Sequence, residues 1–465
     1  MSEKEAESRD PSELQDVFSG EPMDLRPGSD DCYKCSTCDT ECPVAEVDDD
    51  FPGPKFQGPE QWRLKRKGDH DIDDSVMSCS NCMRCDDACP SEVPLSQMHN
   101  TARGDYVESQ MSKFSREYIR NRILSNYGKL APLGARFPRL TNFVMGLSVT
   151  KFVNEKVMGI ASQRDFPEFA TETFTDWWDK RGGAATSKKR AQEAREKRSD
   201  TTSETRAGRD DPREMGSGES AANDKRVAYF HGDYSNYNTP EVAKAMVRVF
   251  EQFGYEVVVP DQRCSGTPMF ANGMMDDARR AAKFNIETFA ALVEQGYDVI
   301  CSCTSCSMAL RQEYPELYSF DGTAKVAANT FEALEYLRVH EDLEGELADS
   351  SVPESEFGEL AYHAPCHARN QGLDGQAVEL LSALDGTDPV DVGDSCSGIS
   401  GTYGWKSEKY DTSMKIGDEM FEHMEDVESE TGMTECPTCA MQMNHGTGYD
   451  IRHPLEVLDA ALVDV

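Results

Sequence analysis

Two runs of four cysteines constrain the fold of this chain more than any other feature. The runs read CYKCSTCDTECP and CSNCMRCDDACP, so both follow the pattern C-x2-C-x2-C-x3-C-P. Three thiolates spaced two residues apart can surround one metal cluster from a tight loop. The fourth thiolate starts a segment that leads away, so it can reach a second cluster. Two such runs therefore predict a pair of clusters that exchange their fourth ligands.

This spacing is that of two-cluster [4Fe–4S] ferredoxins, and it predicts which thiolates share a cluster. Cluster one is predicted to be bound by Cys32, Cys35, Cys38 and Cys89. Cluster two is predicted to be bound by Cys79, Cys82, Cys85 and Cys42. The alternative, two structural zinc sites, explains four thiolates per site but not the repeated Cys-Pro ending.

The segments around the two runs are expected to be helical. Pro43 and Pro90 follow the fourth cysteines, and proline is favoured in the first turn of a helix. Thirty-six residues separate Cys42 from Cys79, and they include the helix-like stretch EQWRLKRKGDH. The module, over residues 31–105, resembles the helical ferredoxin domain of succinate dehydrogenase-type iron–sulfur subunits.

The charge balance restricts the possible partners. The 465 residues include 85 acidic and 48 basic side chains, a net charge of −37. Nucleic-acid binding needs clustered cations, so nucleic acid is not expected as a partner. Such acidity is typical of proteins from salt-adapted organisms, because molar salt shortens the Debye length to about 3 Å, and a halophilic archaeon is therefore the expected source. We interpret the acidity as adaptation to the solvent.

Two segments, residues 1–30 and residues 181–226, are expected to lack a packed core. Residues 1–30 have the composition of a disordered acidic tail, without a secretory signal. Residues 181–226 are rich in Gly, Ser, Ala and mixed charge, so they are predicted to form a disordered linker. The sequence has no apolar run of 18 or more residues, so no membrane-spanning helix is expected.

A basic segment lies between the ferredoxin-like module and the linker. Residues 101–160 contain ten basic and four acidic side chains, a net charge of +6, and residues 106–180 are expected to be helical. One interpretation is that the segment lies on an anionic membrane surface or against an acidic partner. The other is that ordinary helices pack on the ferredoxin module and expose a solvated basic face.

The C-terminal half contains an internal repeat. The turn RCSGTPMFANG corresponds to SCSGISGTYG, and the motif CTSC corresponds to CPTC. The offsets are 133 residues from Asp233 to Cys366, 132 from Cys264 to Cys396, and 133 from Cys303 to Cys436. Strand-like and helical stretches alternate in each copy, which predicts two α/β domains with mainly parallel sheets, over residues 227–345 and 358–465.

The cysteines of each repeat follow predicted strands, so they are expected to meet at one edge of each sheet. In the second domain the candidate metal or cluster ligands are Cys366, Cys396, Cys436 and Cys439. The first domain offers Cys264, Cys303, Cys306 and Asp233 as a weaker set, with Cys301 nearby. Iron–sulfur, zinc, a redox dithiol and reduced buried thiols remain open, and the first domain is as well explained by an empty site. His363 and His367 are expected to serve as hydrogen-bonding groups.

A di-cluster ferredoxin module followed by two such domains resembles the cysteine-rich CCG-domain family. This family includes catalytic subunits of heterodisulfide reductases, iron–sulfur subunits of glycolate and lactate oxidases, and C subunits of anaerobic glycerol-3-phosphate dehydrogenases. Stretches such as YHAPCHARNQG, CSGTPMFANG and CSGISGTYGWKSEKYDTSMKIGDEMF are most similar to the C subunits. The family motif has two adjacent cysteines before the glycine, whereas this chain has Ser265 and Ser397 there. Disulfide cleavage is therefore not expected.

The resemblance implies an electron-transfer subunit without catalytic residues of its own. A partner flavoprotein would oxidise glycerol 3-phosphate, as in anaerobic respiration on glycerol, and two [4Fe–4S] clusters would pass electrons toward quinone. The chain would lie peripherally on the cytoplasmic face of the cell membrane. No G-x-G-x-x-G motif follows a strand, so flavin is expected in the partner. The alternatives are a subunit of a lactate or glycolate dehydrogenase, a heterodisulfide reductase-type enzyme, and a zinc-held scaffold.

Overall fold

The computed structural model describes residues 29–66, 71–206, 225–393 and 395–463. The predicted acidic tail lies outside the described residues except for its last two positions. Residues 207–224, the second part of the predicted linker, lie outside them as well.

The N-terminal module consists of short helices connected by cysteine-bearing loops. Its helices are α1 (Thr37–Thr40), α2 (Pro43–Val47), α3 (Gln61–Arg66), α4 (Arg84–Asp87) and α5 (Leu95–Ser109). Pro43 occupies the first turn of α2, directly after Cys42, as its position suggested. Pro90 does not begin a helix: it lies in a turn, and α5 starts only after Pro94. The expectation of a second Cys-Pro helix was therefore wrong.

Six helices follow in the described residues between this module and the first sheet. They are α6 (Arg116–Ser125), α7 (Tyr127–Ala135), α8 (Pro138–Gly146), α9 (Ser148–Met158), α10 (Phe174–Lys180) and α11 (Gly183–Arg206). Helix α6 is attached to the second α/β unit by the buried Arg120 guanidinium, which donates to the Glu408 carboxylate and to the Gly159 carbonyl.

Helix α11 corrects the prediction of a disordered linker over residues 181–226 for its first part, up to Arg206. Its buried face consists of the small residues Ser187, Ala191 and Ala194. The Val257 amide donates to the Ser187 hydroxyl, and the Arg195 guanidinium donates to the Gly254 carbonyl. The helix thereby covers an edge strand that would otherwise expose unpaired backbone groups. Small residues give almost no hydrophobic periodicity, which is why sequence reasoning missed this helix.

The first α/β unit begins after the undescribed stretch. Its elements are β1 (Arg226–Phe230), α12 (Tyr234–Tyr237), α13 (Pro240–Gln252), β2 (Glu256–Val258), α14 (Thr267–Phe270), α15 (Met275–Val293), β3 (Asp298–Cys301), α16 (Thr304–Met308), α17 (Tyr314–Leu317), α18 (Thr323–Ala328), β4 (Thr330–Glu332), α19 (Ala333–His340) and α20 (Leu343–Ala348). The strands form an all-parallel sheet in the order β2-β1-β3-β4.

The second α/β unit repeats this plan. Its elements are β5 (Gly358–Tyr362), α21 (Cys366–Arg369), α22 (Gln376–Leu381), β6 (Thr387–Asp391), α23 (Tyr410–Glu425), β7 (Thr431–Met433), α24 (Pro437–Thr447), β8 (Asp450–Arg452) and α25 (Pro454–Leu462). The order β6-β5-β7-β8 is again all-parallel and equivalent to that of the first sheet. The predicted fold class, a helical ferredoxin domain followed by two α/β repeats, is confirmed.

The two α/β units share one hydrophobic core. Val249 and Phe250 of α13 belong to the same buried cluster as Leu455 and Leu458 of α25. At the margin of this contact the Arg248 guanidinium donates to the Asp459 carboxylate, with an Nε–Oδ1 distance of 2.8 Å. The pairing of α13 with α25 holds the units in one relative orientation.

Because the core is shared, Leu458→Ala should destabilise both units together. The expected loss is about 2–5 kcal/mol of unfolding free energy, measured by urea denaturation with circular dichroism. The control Val339→Ala removes an exposed side chain and should change the free energy by less than about 0.5 kcal/mol. A second, unshifted unfolding transition in Leu458→Ala would show that the units are energetically independent.

Candidate iron–sulfur sites

The two cysteine loops of the N-terminal module have the same unusual backbone. Lys34 and Ser36 flank Cys35 with φ angles of 58° and 67°. Asn81 and Met83 flank Cys82 in the second loop with φ angles of 58° and 64°. Non-glycine residues adopt this left-handed conformation at a cost of roughly 1–2 kcal/mol each. Four such residues at matching motif positions indicate loops shaped to turn their thiols toward one centre.

The first predicted ligand set lies together near the surface. Burial and the charge of Asp39 raise the pKa of the Cys38 thiol to about 12, and the Cys89, Cys32 and Cys35 thiols act in the same direction. The Thr37 hydroxyl donates to the Cys35 sulfur over 3.4 Å. Cys35 is exposed, and the neighbouring Tyr33 has 84% of its surface in solvent.

The second predicted ligand set lies deeper. Burial raises the pKa of the Cys85 thiol well above its usual value, and Asp86, Cys82, Cys79 and Cys42 act in the same direction. These mutual effects place the three cysteines of the second run beside Cys42 of the first run. The structure thus brings together the residues that the exchanged-ligand rule grouped.

Cys79 differs electrostatically from the other thiols of its set. Burial favours the neutral thiol, but the Arg103 guanidinium and the His99 ring lower the pKa of Cys79 to about 6. The Cys79 sulfur lies 3.8 Å from His99 Nδ1 and accepts from the Asn81 amide over 3.4 Å. This environment stabilises a thiolate, the form that binds iron.

The donor chemistry of both sets fits [4Fe–4S] clusters. Each set offers four thiols, three from a strained loop and the fourth from a cysteine of the other run. The charges of the four thiolates repel one another unless cationic iron compensates them. A zinc site instead needs four ligands around one point. Among the described residues, no three His, Cys, Asp or Glu side chains are grouped closely enough to hold a single ion.

Seven cysteines of the two α/β units line one common cavity of about 640 Å³. The sequence predicted a separate site at the edge of each sheet, but the units are packed so that these edges face each other. The cavity also receives one cysteine of the N-terminal module. Its cysteines are Cys82, Cys264, Cys303, Cys306, Cys366, Cys396, Cys436 and Cys439.

The second-unit thiols lie close to one another and to the first unit. A hydrogen bond to Cys396 raises the pKa of Cys366, with burial as the next cause. Hydrogen bonds from Cys303 and then Cys439 lower the pKa of Cys436 well below its usual value. Since Cys303 belongs to the first unit, the contact between Cys303 and Cys436 crosses the interface between the repeats.

Asp233 occupies the position that Cys366 has in the second unit. Its carboxylate hydrogen-bonds to the Cys264 thiol and accepts from the Gly128 backbone of α7, and burial raises its pKa to about 6. A Cβ atom at Gly128 would collide with this carboxylate, so a glycine permits the close approach of α7. Asp233 thus lies on the cavity wall, where α7 covers the first unit.

Two serines occupy equivalent positions beside the C-x-x-C motifs. The Ser265 hydroxyl lies 3.4 Å from the Cys306 sulfur, and the Ser397 hydroxyl lies 3.3 Å from the Cys439 sulfur. Sequence reasoning treated these serines only as missing cysteines. Their matching positions in the repeat were the signal that each contacts the last cysteine of its unit.

The remaining candidates lie outside the thiol set or support it. Cys301 is fully buried in β3 and does not line the cavity. His367 lines the cavity and its Nδ1 lies 3.0 Å from the Ser305 hydroxyl, in agreement with the expected hydrogen-bonding role. Ser305 itself lies 3.8 Å from the Cys436 sulfur, a contact across the repeat interface that the sequence did not reveal.

The second ligand set adjoins the cavity. Burial is the main cause that raises the pKa of Cys82, and the next is the Cys366 thiol of the second α/β unit. The Asn370 side-chain amide donates to the Cys82 carbonyl over 3.2 Å, which attaches the loop to α21. Cys42 and Cys396 also belong to one buried apolar cluster.

Comparison with known families agrees with this architecture. Residues 28–93 match the 4Fe-4S dicluster domain family. Residues 227–311 and 360–444 each match the cysteine-rich domain family. The two matches to the cysteine-rich domain family support the repeat that the cysteine offsets indicated.

Curated relatives share either the whole architecture or a part of it. The chain is 28% identical over 250 residues to the B subunit of the fumarate reductase (CoM/CoB) of Methanothermobacter marburgensis, an alignment that covers 51% of this chain and 47% of that protein. It is 29% identical over 246 residues to lactate utilization protein A of an Exiguobacterium species, which covers 51% and 96%.

One relative aligns over nearly the full length of both proteins. The chain is 30% identical over 442 residues to the C subunit of the anaerobic glycerol-3-phosphate dehydrogenase of Escherichia coli (strain K12), which covers 93% of this chain and 98% of that protein. With its dicluster module and two cysteine-rich domains, the chain belongs to the family of iron–sulfur proteins formed by the C subunits of anaerobic glycerol-3-phosphate dehydrogenases.

Proposed function

We propose that this chain is the iron–sulfur electron-transfer subunit of a membrane-associated glycerol-3-phosphate dehydrogenase complex. In this role it accepts electrons from a partner flavoprotein and passes them toward membrane quinone. The observation that carries the proposal is that three sets of thiols adjoin one another. They are the first ligand set near the surface, the buried second ligand set, and the thiols that line the cavity between the repeats.

Apolar contacts connect the three sets of thiols in this order. Cys38 of the first set and Cys85 of the second set belong to one buried cluster, packed with Val93, Leu95 and Met98. Cys42 of the second set shares another cluster with Cys396 of the cavity. Close, dry packing of this kind supports electron transfer in steps from the surface inward.

The eight ferredoxin-type cysteines are proposed to hold two [4Fe–4S] clusters in the exchanged arrangement. Such clusters, when bound, supply one-electron redox centres whose potentials depend on hydrogen bonds to sulfur and on solvent exposure. The protein contributes the thiolates, the Arg103 and His99 charges beside Cys79, and the exclusion of water around Cys85. The cavity thiols are proposed to hold a further iron–sulfur group, with zinc as the alternative.

Arg103 also attaches the dicluster module to the first cysteine-rich domain. Its fully buried guanidinium donates to the Phe270 carbonyl over 2.9 Å and to the Cys79 carbonyl over 3.3 Å. One side chain therefore fixes the second ligand set relative to the repeats while its charge stabilises the Cys79 thiolate.

The substrate chemistry is proposed to lie in a partner. The full-length relative from Escherichia coli is, by its name, a subunit of an anaerobic glycerol-3-phosphate dehydrogenase. The exposed first ligand set, with Tyr33 and Cys35 at the surface, is suited to receive electrons from a docked flavoprotein. No catalytic residue is assigned to this chain.

The site of action is proposed to be the cytoplasmic face of the cell membrane. The net charge of +6 over residues 101–160, within a chain of net charge −37, supports attraction to anionic lipids. Among the described residues, no helix combines the length and the hydropathy that crossing a bilayer requires.

A second candidate is the iron–sulfur subunit of a lactate- or glycolate-oxidising complex. It is favoured by the similarity to lactate utilization protein A, an alignment of 246 residues that covers 51% of this chain and 96% of that protein. The dicluster module and the near-complete alignment with the C subunit from Escherichia coli favour the first candidate.

Affinity capture of the chain from its native complex should recover a flavoprotein that oxidises glycerol 3-phosphate. The readout is substrate-dependent reduction of the chain's iron–sulfur absorption, with glycerol 3-phosphate and lactate compared at equal concentration. Reduction by lactate alone would overturn the assigned substrate and establish the second candidate.

Cys85→Ser should stop electron flow to quinone while the partner flavin is still reduced by its substrate. The reason is that Cys85 lies near the other three thiols of the second ligand set and shares a buried cluster with Cys38 of the first set. Cys301→Ala is the control, because Cys301 is also buried but lies outside the cavity and outside both ligand sets. Unchanged quinone reduction in Cys85→Ser would contradict the relay.

The iron content of the anaerobically purified full chain should exceed the roughly eight atoms that two [4Fe–4S] clusters contain. In Cys436→Ser the excess iron should be lost while the first eight remain, because Cys436 contacts thiols of both repeats. Metal analysis by mass spectrometry checks this expectation. Zinc in place of the excess iron would instead support a structural metal in the cysteine-rich domains.

A further inference from the structure

Helices α7, α8 and α9 expose an unusually apolar outer face. Phe143 has 66% of its surface in solvent, Val149 has 73% and Phe152 has 57%. The full set of exposed apolar side chains on this face, here called the apolar face, is Leu133, Phe137, Leu140, Phe143, Val144, Leu147, Val149, Phe152, Val153 and Val157. So many exposed apolar side chains on three consecutive helices are unusual on a soluble monomer and indicate a binding surface.

The inner sides of the same helices are more polar than the apolar face. Thr141, Asn142 and Asn154 point inward and line the cavity, together with Met145 and Met158. A helix that packs only against its own protein has the opposite distribution, with apolar side chains inward. The apolar face is therefore expected to meet an apolar environment, and the inner side belongs to the cavity wall.

The charges around the apolar face identify the environment that fits it. Residues 127–158 contain five basic side chains and one acidic side chain, whereas the whole chain has a net charge of −37. Arg136, Arg139 and Lys156 are exposed and have no carboxylate partner within the described part of the chain. Exposed apolar side chains bordered by cations are typical of helices that lie in the interface of an anionic bilayer.

The cavity beneath these helices has the properties of a site for a lipid-soluble ligand. Its volume of about 640 Å³ lies within the usual range of small-molecule pockets. Ile123, Leu130 and Gly146 line it and are themselves exposed, which places its opening beside the apolar face. Phe166, Phe169 and Trp405 add flat aromatic surface on the way to the thiols.

We propose that α7–α9 insert the apolar face into the bilayer interface, and that a quinone enters the cavity from the lipid. This inference rests on the proposed function and specifies where its acceptor binds. The quinone ring lies between the inner sides of α8 and α9 and the thiol-lined end of the cavity. The iron–sulfur centres, when bound, would supply two electrons there, and with two protons from water these would convert the two carbonyl groups of the quinone to hydroxyl groups.

The proposed occupant of the apolar face is a lipid surface and not a second copy of this chain. A second copy of this chain would bring two basic surfaces together, and the positive charges would repel. A membrane also explains why the cavity opens beside the face, because only from lipid can an isoprenoid quinone enter without crossing water. Coverage by the flavoprotein is retained as an outcome of the test.

Flotation of the full chain with vesicles that contain anionic phospholipid tests the apolar face. The double substitution Phe143→Ser and Phe152→Ser should weaken binding by at least about tenfold, because two large apolar side chains leave the lipid. Val339→Ser is the matched control, since Val339 is 67% exposed but lies outside the face, and it should bind like the wild type. Equal binding of the double variant, or protection of the face by the flavoprotein alone, would overturn the lipid assignment.

A photoreactive azidoquinone tests the cavity by a readout that needs no turnover. Labelled peptides from vesicle-bound protein should map to α8, α9 and the loop around Trp405. Met145→Trp should reduce labelling by about tenfold or more by filling the cavity, whereas Val339→Trp adds the same side chain elsewhere and should not. The iron content and visible spectrum of both variants report whether the clusters and fold are intact.

The outcomes separate this inference from the proposed function. If the flavoprotein reduces the iron–sulfur centres but label maps away from the cavity, the quinone site is wrong and the relay stands. If label maps to the cavity and Met145→Trp removes it, the quinone site stands even where glycerol 3-phosphate fails to reduce the centres. Unchanged labelling in Met145→Trp with intact clusters would overturn the inference.

Discussion

The central constraint on this structure is the burial of many thiols at a few places. Thiolates are costly to bury and repel one another, and the raised pKa values of Cys38, Cys42 and Cys85 report both effects. Iron compensates this charge, so the energetic cost of the thiol sets is offset by metal binding. The strained loops, the buried Arg103 and the packed repeats all serve to hold thiols where metal can reach them.

The three sets of thiols are arranged in order from the protein surface to the cavity between the repeats. The first set borders the surface, the second is enclosed between the N-terminal module and the repeats, and the last lines the interdomain cavity. A chain that only bound metal for stability would not need three adjoining sets. The sequence of sets, together with a cavity that opens beside an apolar face, fits a protein that conducts electrons from a docked partner to a lipid-soluble acceptor.

Local patterns predicted some parts of the fold well and others not at all. The cysteine offsets predicted the duplicated sheets because each landmark follows a strand end, and strand order then repeats. Helix α11 was missed because its buried stripe consists of Ser187, Ala191 and Ala194, which carry no hydrophobic signal. The helix after Pro90 was expected from a local preference, but the chain turns there before α5 begins.

The amino-acid sequence by itself determined which thiols can share a cluster, because ligand spacing within a loop is a property of local chain geometry. It also determined the duplication and the family. Only the tertiary structure decided that the two repeats face one common cavity, that Cys82 and Cys366 adjoin, and that α7–α9 turn their apolar side outward. These relations depend on contacts between residues far apart in the chain, such as those of α13 with α25, and no local pattern contains them.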